Sequence, residues 1–497
     1  LPLYDVHWER AVVVEKAQSR KGAETISVGL RDGRIMPLST VGGRMRSRIA
    51  LNDLVYVKVI EGKGKKGARA ELRTRPTVQG AAVVLENKTG RVLAMAGGFS
   101  YPLSQLNRVT QARRQPGSSF KPMTYLAALN AGLQPNTLVM DEPITYPPIG
   151  GENRYTRDTD WWSPHNYDGG FSGPMTLRRA LEQSKNLVTA RLLSGGVAAD
   201  PAESLDTVCK LAIEAQFYLK CERFYPFVLG AQPVRPIDLA AFYAAIDNEG
   251  GRPAPHVIEQ IVQDGHTVYQ AKEDVEYLAS VDRAAVFQLR SILQGVVARG
   301  TASRLASLSK FIAGKTGTTD DFNDAWFAGF DNNVTIAVWV GYDNAKGKRT
   351  LGPGQAGSRV ALPIFADIIQ AVWEKYAPRT PLQGPSPETS RHLISLPIDL
   401  NSGERIDART SNAFMETFRL DKNGKILETQ NQLISPDQEF AFGGRYNSPF
   451  GVPWFLRFGL GRRDYDGSPL FRAPDRYDSW QRDDDVRYLR EPRPLPH

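Results

Sequence analysis

Cysteine and histidine are scarce, two and six in 497 residues. With no C-x-x-C pair and no H-E-x-x-H, nothing argues for a zinc site, and no metal or organic cofactor is expected. No stretch of about 18 uninterrupted apolar residues occurs, so no segment reads as a membrane-spanning helix. The opening LPLYDVHWER has neither the basic flank nor the apolar run of a secretory signal. It reads like a chain entered in the middle, and an upstream segment is expected. There is no internal repeat. At 41% hydrophobic and 23% charged residues, collagen, mucin and a wholly disordered chain are excluded.

Lys plus Arg outnumber Asp plus Glu by 62 to 54, a net +8. That excess suits anionic partners in general without choosing among them. At roughly 100–200 residues per domain the length predicts about two to four domains. Residues 1–75 carry short strand-like runs at 10–17, 24–30, 54–60 and 68–73, with an Arg-Asp-Gly-Arg turn at 31–34. So many short strands in a small unit predict an OB-like β-barrel. The tip at 61–68 is basic and glycine-rich, read as a solvated loop or a contact to anionic polymer.

A hairpin follows, 81–86 and 92–96 across Asn-Lys-Thr-Gly, then helices at 123–130, 177–193, 236–248 and 281–298. Residues 311–319 read as a strand, 324–330 and 334–342 as a second hairpin, and 359–376 as an amphipathic helix. Strands from distant parts of the chain with helices on their faces predict an α+β domain over 76–376. Residues 133–175 read as a long loop. Residues 377–497 read as a partly irregular extension, with little fixed structure from about 441.

Three short motifs carry the chemistry. Ser118-Ser119-Phe120-Lys121 is an S-x-x-K at a helix start, and positions i and i+3 share a helical face. A serine hydroxyl needs a neighbouring base before it attacks, and lysine serves only if burial and nearby charge lower its pKa. Ser184-Lys185-Asn186 offers a hydroxyl for proton relay and an amide for a peptide. Lys315-Thr316-Gly317-Thr318-Thr319, on a strand, offers an ammonium and hydroxyls to a carboxylate, the glycine admitting a ligand backbone. Taken alone, S-x-x-K reads by default as a solvated helix face and S-x-N as a polar turn, and K-T-G has the alternative of a strand end with a solvated lysine. In the order S-x-x-K, S-x-N, K-T-G they are the signatures of penicillin-binding proteins and serine β-lactamases.

The stretches RRQPGSSFKP, WWSPHNYDGGFSGPMTLRRALEQSKN, FYPFVLGAQPVRPIDLAAFYAAIDNEGG and GKTGTTDDFNDAWFAGF resemble the transpeptidase domain of class A penicillin-binding proteins, 1A type, over about residues 76–376. The resemblance implies an antiparallel five-stranded sheet flanked by helices, preceded by the barrel. It implies a D,D-transpeptidase that cross-links peptidoglycan stem peptides ending in D-Ala-D-Ala and is acylated by β-lactams. Ser118 is the expected nucleophile, Lys121 the proton acceptor, and Ser184 and Lys315 the groups that pass the proton to departing D-Ala. Thr316 and Thr318 would hold the terminal carboxylate, Gly317 would admit the substrate backbone, and Asn186 would hold the peptide amide. The N–H groups of Ser118 and Thr318 would form the oxyanion hole.

Trp161, Trp162, His165, Asn166 and Tyr167 are either cleft-lining residues or local loop packing, with Trp162, Asn166 and Tyr167 the cleft candidates. Asp320 and Asp321 read as turn residues. Cys209 and Cys221 close a short loop and are either a disulfide or two reduced core thiols. Class A members also carry a membrane anchor and a glycosyltransferase domain, which handles a lipid-linked precursor; both are expected upstream of this chain. The catalytic domain would face the periplasm, on the inner membrane; no nucleic acid is expected as a partner and no activator is read. Rival readings are a D,D-carboxypeptidase or β-lactamase that hydrolyses the acyl-enzyme, a penicillin-sensing receptor, and a basic OB-type nucleic-acid-binding protein. Against the lactamase, the middle residue of S-x-N is Lys185 rather than Asp.

Overall fold

The computed structural model describes residues 8–18, 24–39, 47–62, 67–151, 156–157, 160–271, 275–343, 349–427 and 433–434. Part of the basic tip at 61–68 and the whole segment from 441 lie outside the described residues. Strands β1 Glu9–Gln18, β2 Glu24–Leu30, β3 Ile35–Ser39, β4 Leu54–Ile60 and β5 Arg69–Arg73 close into a barrel in the order β1-β2-β3-β5-β4. Alternation builds its core: Val13 on β1 faces Val28 on β2, and with Val57 and Ala70 they have 0% exposure. The β3–β5 pairing is parallel and the others antiparallel. Sequence reading left β3 out, because Pro37 at its centre weakens the strand pattern.

The larger part is α+β, as expected. Strands β6 Gln79–Glu86 and β7 Val92–Ala96 precede helix α1 Lys121–Asn130. Between α1 and helix α2 Leu177–Glu182, the long loop contains a strand pair, β8 Leu138–Asp141 and β9 Gly173–Thr176. Helices α3 Asn186–Arg191, α4 Pro201–Glu214 and α5 Pro236–Asp247 follow. A small strand pair comes next, β10 Gly251–Pro253 with β13 Val275–Tyr277, and the connection between them carries the hairpin of β11 Gln260–Gln263 and β12 His266–Gln270. After helix α6 Arg283–Arg299 come β14 Ala313–Thr318, β15 Asp324–Phe330, β16 Val334–Gly341 and helix α7 Gly357–Lys375. The five-stranded sheet runs β14-β15-β16-β6-β7. Every residue of β15 is buried, which explains its continuous apolar run.

Strand alternation divides the faces. Phe327 packs on Phe365 of α7 with ring centroids 4.6 Å apart. Its neighbour Trp326 points the other way and donates Nε1–H to Gln115 O at 2.8 Å, just ahead of the S-x-x-K turn. Helix α5 is apolar along nearly its whole length because it is buried against the sheet and α6. Asp282 and Asp200 cap α6 and α4. Cys209 of α4 is joined to Cys221 by a disulfide across a separation of 12 residues. Closing a loop of that size constrains the unfolded chain by about 3 kcal/mol.

One expectation changes. The single helix read at 177–193 is broken into α2 and α3, with Ser184 between them in the left-handed region at φ 60°. Beyond residue 377 the chain forms a hairpin, β17 Leu393–Asp399 with β18 Ala413–Arg419. Glu416 of β18 is fully buried and accepts two hydrogen bonds from the Arg178 guanidinium of α2, that from the terminal nitrogen at 2.6 Å. Arg178 also donates to Ser291 O of α6 at 3.0 Å, so the hairpin is fastened to both helices. Glu416→Ala removes the carboxylate bonded to that buried arginine and leaves only Glu182, 3.7 Å away. The expected loss is about 3–5 kcal/mol, read as a lower denaturant midpoint.

Candidate active site

Residues Gly117–Ser119 form one 3-10 turn that runs directly into α1, with Pro122 in its first turn. Gly117 has φ 52°, and a Cβ there would lie 2.6 Å from Thr318 O. A Cβ on Gly317 would lie 2.5 Å from Pro116 O. The S-x-x-K turn and the K-T-G strand therefore meet backbone against backbone, which only glycine permits. The two serines of the turn differ in kind. Ser119 is fully buried and its hydroxyl donates to Pro116 O at 2.7 Å. Ser118 is half-exposed, and its hydroxyl makes no hydrogen bond among the described residues.

Lys121 is completely buried. Its ammonium donates to Ser184 O and Asn186 Oδ1, both at 2.6 Å, and lies 3.4 Å from Ser184 Oγ. The expected direct bond from Lys121 to Ser118 is not made, since these S-x-N acceptors hold the amine; such contacts commonly tighten only with substrate. Lys315, equally buried, donates to Ser184 Oγ at 2.8 Å and to Thr316 O at 3.1 Å. Two lysines thus converge on one serine hydroxyl. Burial, then the charge of Lys315, pulls the Lys121 pKa well below its ordinary 10.5 against the opposing pull of Asp141. Burial alone brings Lys315 down to about 7.

The break at Ser184 makes this convergence possible, because a continuous helix would turn Ser184 and Asn186 to different faces. A buried relay holds the break in place. Asp141 at the end of β8 accepts from Asn166 Nδ2 at 2.7 Å and from Ser172 N at 2.9 Å, and Lys185 Nζ lies 3.2 Å from it. Asn166 in turn accepts from Asn186 N at 2.8 Å and Leu187 N at 3.2 Å, capping α3 from a distant loop. Asn186 donates one amide proton to His165 O at 2.6 Å, which leaves the other for a ligand. Asn166→Ala is expected to slow active-site acylation about tenfold, through loss of a cap and of the Asn186–Lys121 register; stopped-flow measurement of the second-order rate checks it.

The other sequence candidates are placed as follows. Asn166 is 6% exposed and serves as this clamp rather than as an open cleft surface. Trp162 stacks on both Tyr146 and Tyr225 at 5.9 and 6.0 Å, and those two rings lie 5.0 Å apart, so its ring is used in loop packing. Tyr167 is 71% exposed. Asp320 and Asp321 stand in the turn after β14. Thr316 Oγ1 lies 2.7 Å from Thr301 Oγ1, and Thr318 Oγ1 accepts from Gly357 N at 3.1 Å. Sequence reading missed Asp141 and Thr301, which stand outside the three motifs. Among the described residues no group of three or more His, Cys, Asp or Glu is placed to hold a metal ion.

The sequence matches the family described as penicillin binding protein transpeptidase domain over residues 80–206 and 227–370. Penicillin-binding protein 1A of Rickettsia conorii is 31% identical over 467 residues, covering 88% of this chain and 54% of that protein. Penicillin-binding protein 1A of Aquifex aeolicus is 37% identical over 349 residues, covering 69% of this chain and 45% of the relative. The crystal structure of penicillin-binding protein 1A from Haemophilus influenzae superposes with TM-score 0.67 at 25% identity, over 86% of this chain and 64% of that one. PonA1 from Mycobacterium tuberculosis, solved in complex with penicillin V, shares the fold at TM-score 0.51 and 24% identity, over 63% of this chain and 82% of that one.

The chain belongs to the penicillin-binding protein transpeptidase family, and the curated relatives it resembles are named penicillin-binding protein 1A. It spans about half the length of the curated relatives it matches.

Proposed function

We propose that the chain is a serine D,D-transpeptidase whose acyl-enzyme forms on Ser118. The observation that supports this most is the convergence of two buried lysines on Ser184 beside a turn whose half-buried Ser118 hydroxyl is uncommitted among the described residues. Lys121, kept from holding its proton firmly by burial and by Lys315, takes the Ser118 proton as the oxygen attacks the penultimate D-Ala carbonyl. The N–H groups of Ser118 and Thr318 receive the developing oxyanion, donors of a kind worth about 3–4 kcal/mol of barrier. Ser184 and Lys315 deliver a proton to the departing D-Ala amine, Thr316 and Thr318 grip its carboxylate, and the spare amide proton of Asn186 meets the peptide. An amine of a second stem peptide then takes the acyl group and releases Ser118. A β-lactam enters the same step, but its ring opens without losing a leaving group, so the adduct persists.

The size of the relatives supports a longer protein with a glycosyltransferase part acting on a lipid-linked precursor and a membrane anchor. No helix among the described residues is long and apolar enough to cross a membrane. The disulfide supports an oxidising compartment such as the periplasm.

Mass spectrometry of the intact chain after penicillin treatment tests the reading. One adduct, mapped to the peptide containing Ser118 and lasting many minutes, is expected. Rapid release of hydrolysed penicillin would instead favour a β-lactamase, and no adduct would refute the serine mechanism.

A further inference from the structure

Tyr167 and Phe322 are not explained by the steps above. Tyr167 directly follows Asn166, which caps α3, and so belongs to the S-x-N wall of the cleft. Phe322 lies in the turn that continues from K-T-G, with its N–H donating to Thr319 O at 3.2 Å and its carbonyl accepting from Leu351 N at 2.9 Å. It belongs to the strand wall. The two rings meet edge to face with centroids 5.8 Å apart and an interplanar angle of 88°. One aromatic contact thus joins the two walls. Tyr167 remains 71% exposed, so this is not core packing. Both Asp321 and Phe322 are held at φ 56°, a left-handed conformation that presents the Phe322 ring to the other wall.

The position fixes which species meets these rings. On the proposed reading, Thr316 and Thr318 grip the carboxylate of the D-Ala that departs, and the turn bearing Phe322 begins just past Thr318. The space vacated by D-Ala is the space an acceptor must enter. Phe322 follows Thr318 by four residues on one wall and Tyr167 follows the Asn166 clamp on the other, so their contact lies at the edge of the cleft; beside them in sequence stand the exposed carboxylates of Asp320 and Asp321, and Asp168, which lies 3.1 Å from Lys185. The acceptor is an amine, and in neutral water it arrives as an ammonium. The two lysines at the bottom of the cleft and the net +8 of the chain both repel it. Aromatic faces attract a cation without adding a charge of their own, and the carboxylates strengthen the attraction.

We propose that Tyr167 and Phe322 form the entry subsite for the cationic amine of the acceptor stem peptide. The subsite acts before any bond changes: it collects the ammonium, which gives up one proton to solvent before its nitrogen attacks the acyl carbon. As the acyl–Oγ bond breaks, a second proton of that nitrogen passes by way of Lys121 to Ser118 Oγ, leaving an amide and the free serine hydroxyl.

This deepens the transpeptidase reading and rests on it. The test uses the full chain, acylated by a thioester analogue of a D-Ala-D-Ala-ended donor peptide. Two nucleophiles compete for the acyl group: lysine amide, which is cationic, and methanol, which is not. In Tyr167→Leu and in Phe322→Leu, the ratio of aminolysis to methanolysis is expected to fall about fivefold, since leucine keeps bulk and loses the ring. The ratio is internal to one acyl-enzyme, so a change in acylation rate or in the folded fraction does not alter it. An unchanged ratio in both variants overturns the subsite while leaving the serine mechanism standing. A wild-type chain that is never acylated overturns that mechanism and the subsite with it.

Discussion

Ser118→Ala is expected to abolish covalent penicillin labelling, a fall of at least about ten-thousandfold in acylation, with no change in thermal midpoint. The stability half of this expectation follows from the turn. The Ser118 hydroxyl is half-exposed and makes no hydrogen bond among the described residues, so its removal breaks nothing in the fold. Ser119 provides the contrast within the same turn. Its hydroxyl is buried against Pro116 O and its carbonyl accepts from Tyr243 Oη at 2.8 Å. Ser119→Ala should cost about 1 kcal/mol of stability and retain labelling. Adduct mass and unfolding midpoint, measured on both variants, separate the two roles. Labelling that survives in folded Ser118→Ala would move the nucleophile elsewhere.

The motifs were legible because each is local: a turn leading into a helix, a polar break and an edge strand, each held within a few residues. The barrel and the sheet were legible because alternation and buried apolar runs mark strands directly. The support of the site was not. Residues 177–193 have helical spacing throughout, and the break at Ser184 is imposed by Asn166 and Asp141, which lie 18 and 43 residues before it. Glu416 looks like any surface glutamate in a polar stretch, until the fold places Arg178 against it. Helix α4, by contrast, announced itself with Asp200 and Pro201 at its start and was passed over. What escaped was long-range pairing of polar groups, which leaves no period in a sequence.

The second large effect concerns the lysines. Lys121→Ala is expected to slow acylation about a thousandfold, the range typical of removing a positioned base. Its pH dependence carries more information than its loss. In the wild type the acylation rate should rise with pH and level off far below 10.5, because Lys121 sheds its proton early, through burial and the nearby charge of Lys315. The observed midpoint belongs to the coupled pair. Lys315→Met removes that charge, so Lys121 holds its proton longer and the profile must shift to higher pH. Asp141→Asn removes an opposing pull and must shift it lower. Stability gives an independent check on the same electrostatics. Lys315 titrates at about 7 in the fold and near 10.5 when unfolded, so between those values the unfolded chain binds more protons. Stability from this group therefore climbs as pH rises from about 7 to 10.5, and its burial cost is present in full below 7. Lys315→Met should accordingly stabilise the chain at pH 6, by about 1–2 kcal/mol, and confer little at pH 10. Equal denaturant midpoints at both pH values, or a rate profile that ignores Lys315, would mean that the amines are solvated and that neither can serve Ser118 as a base.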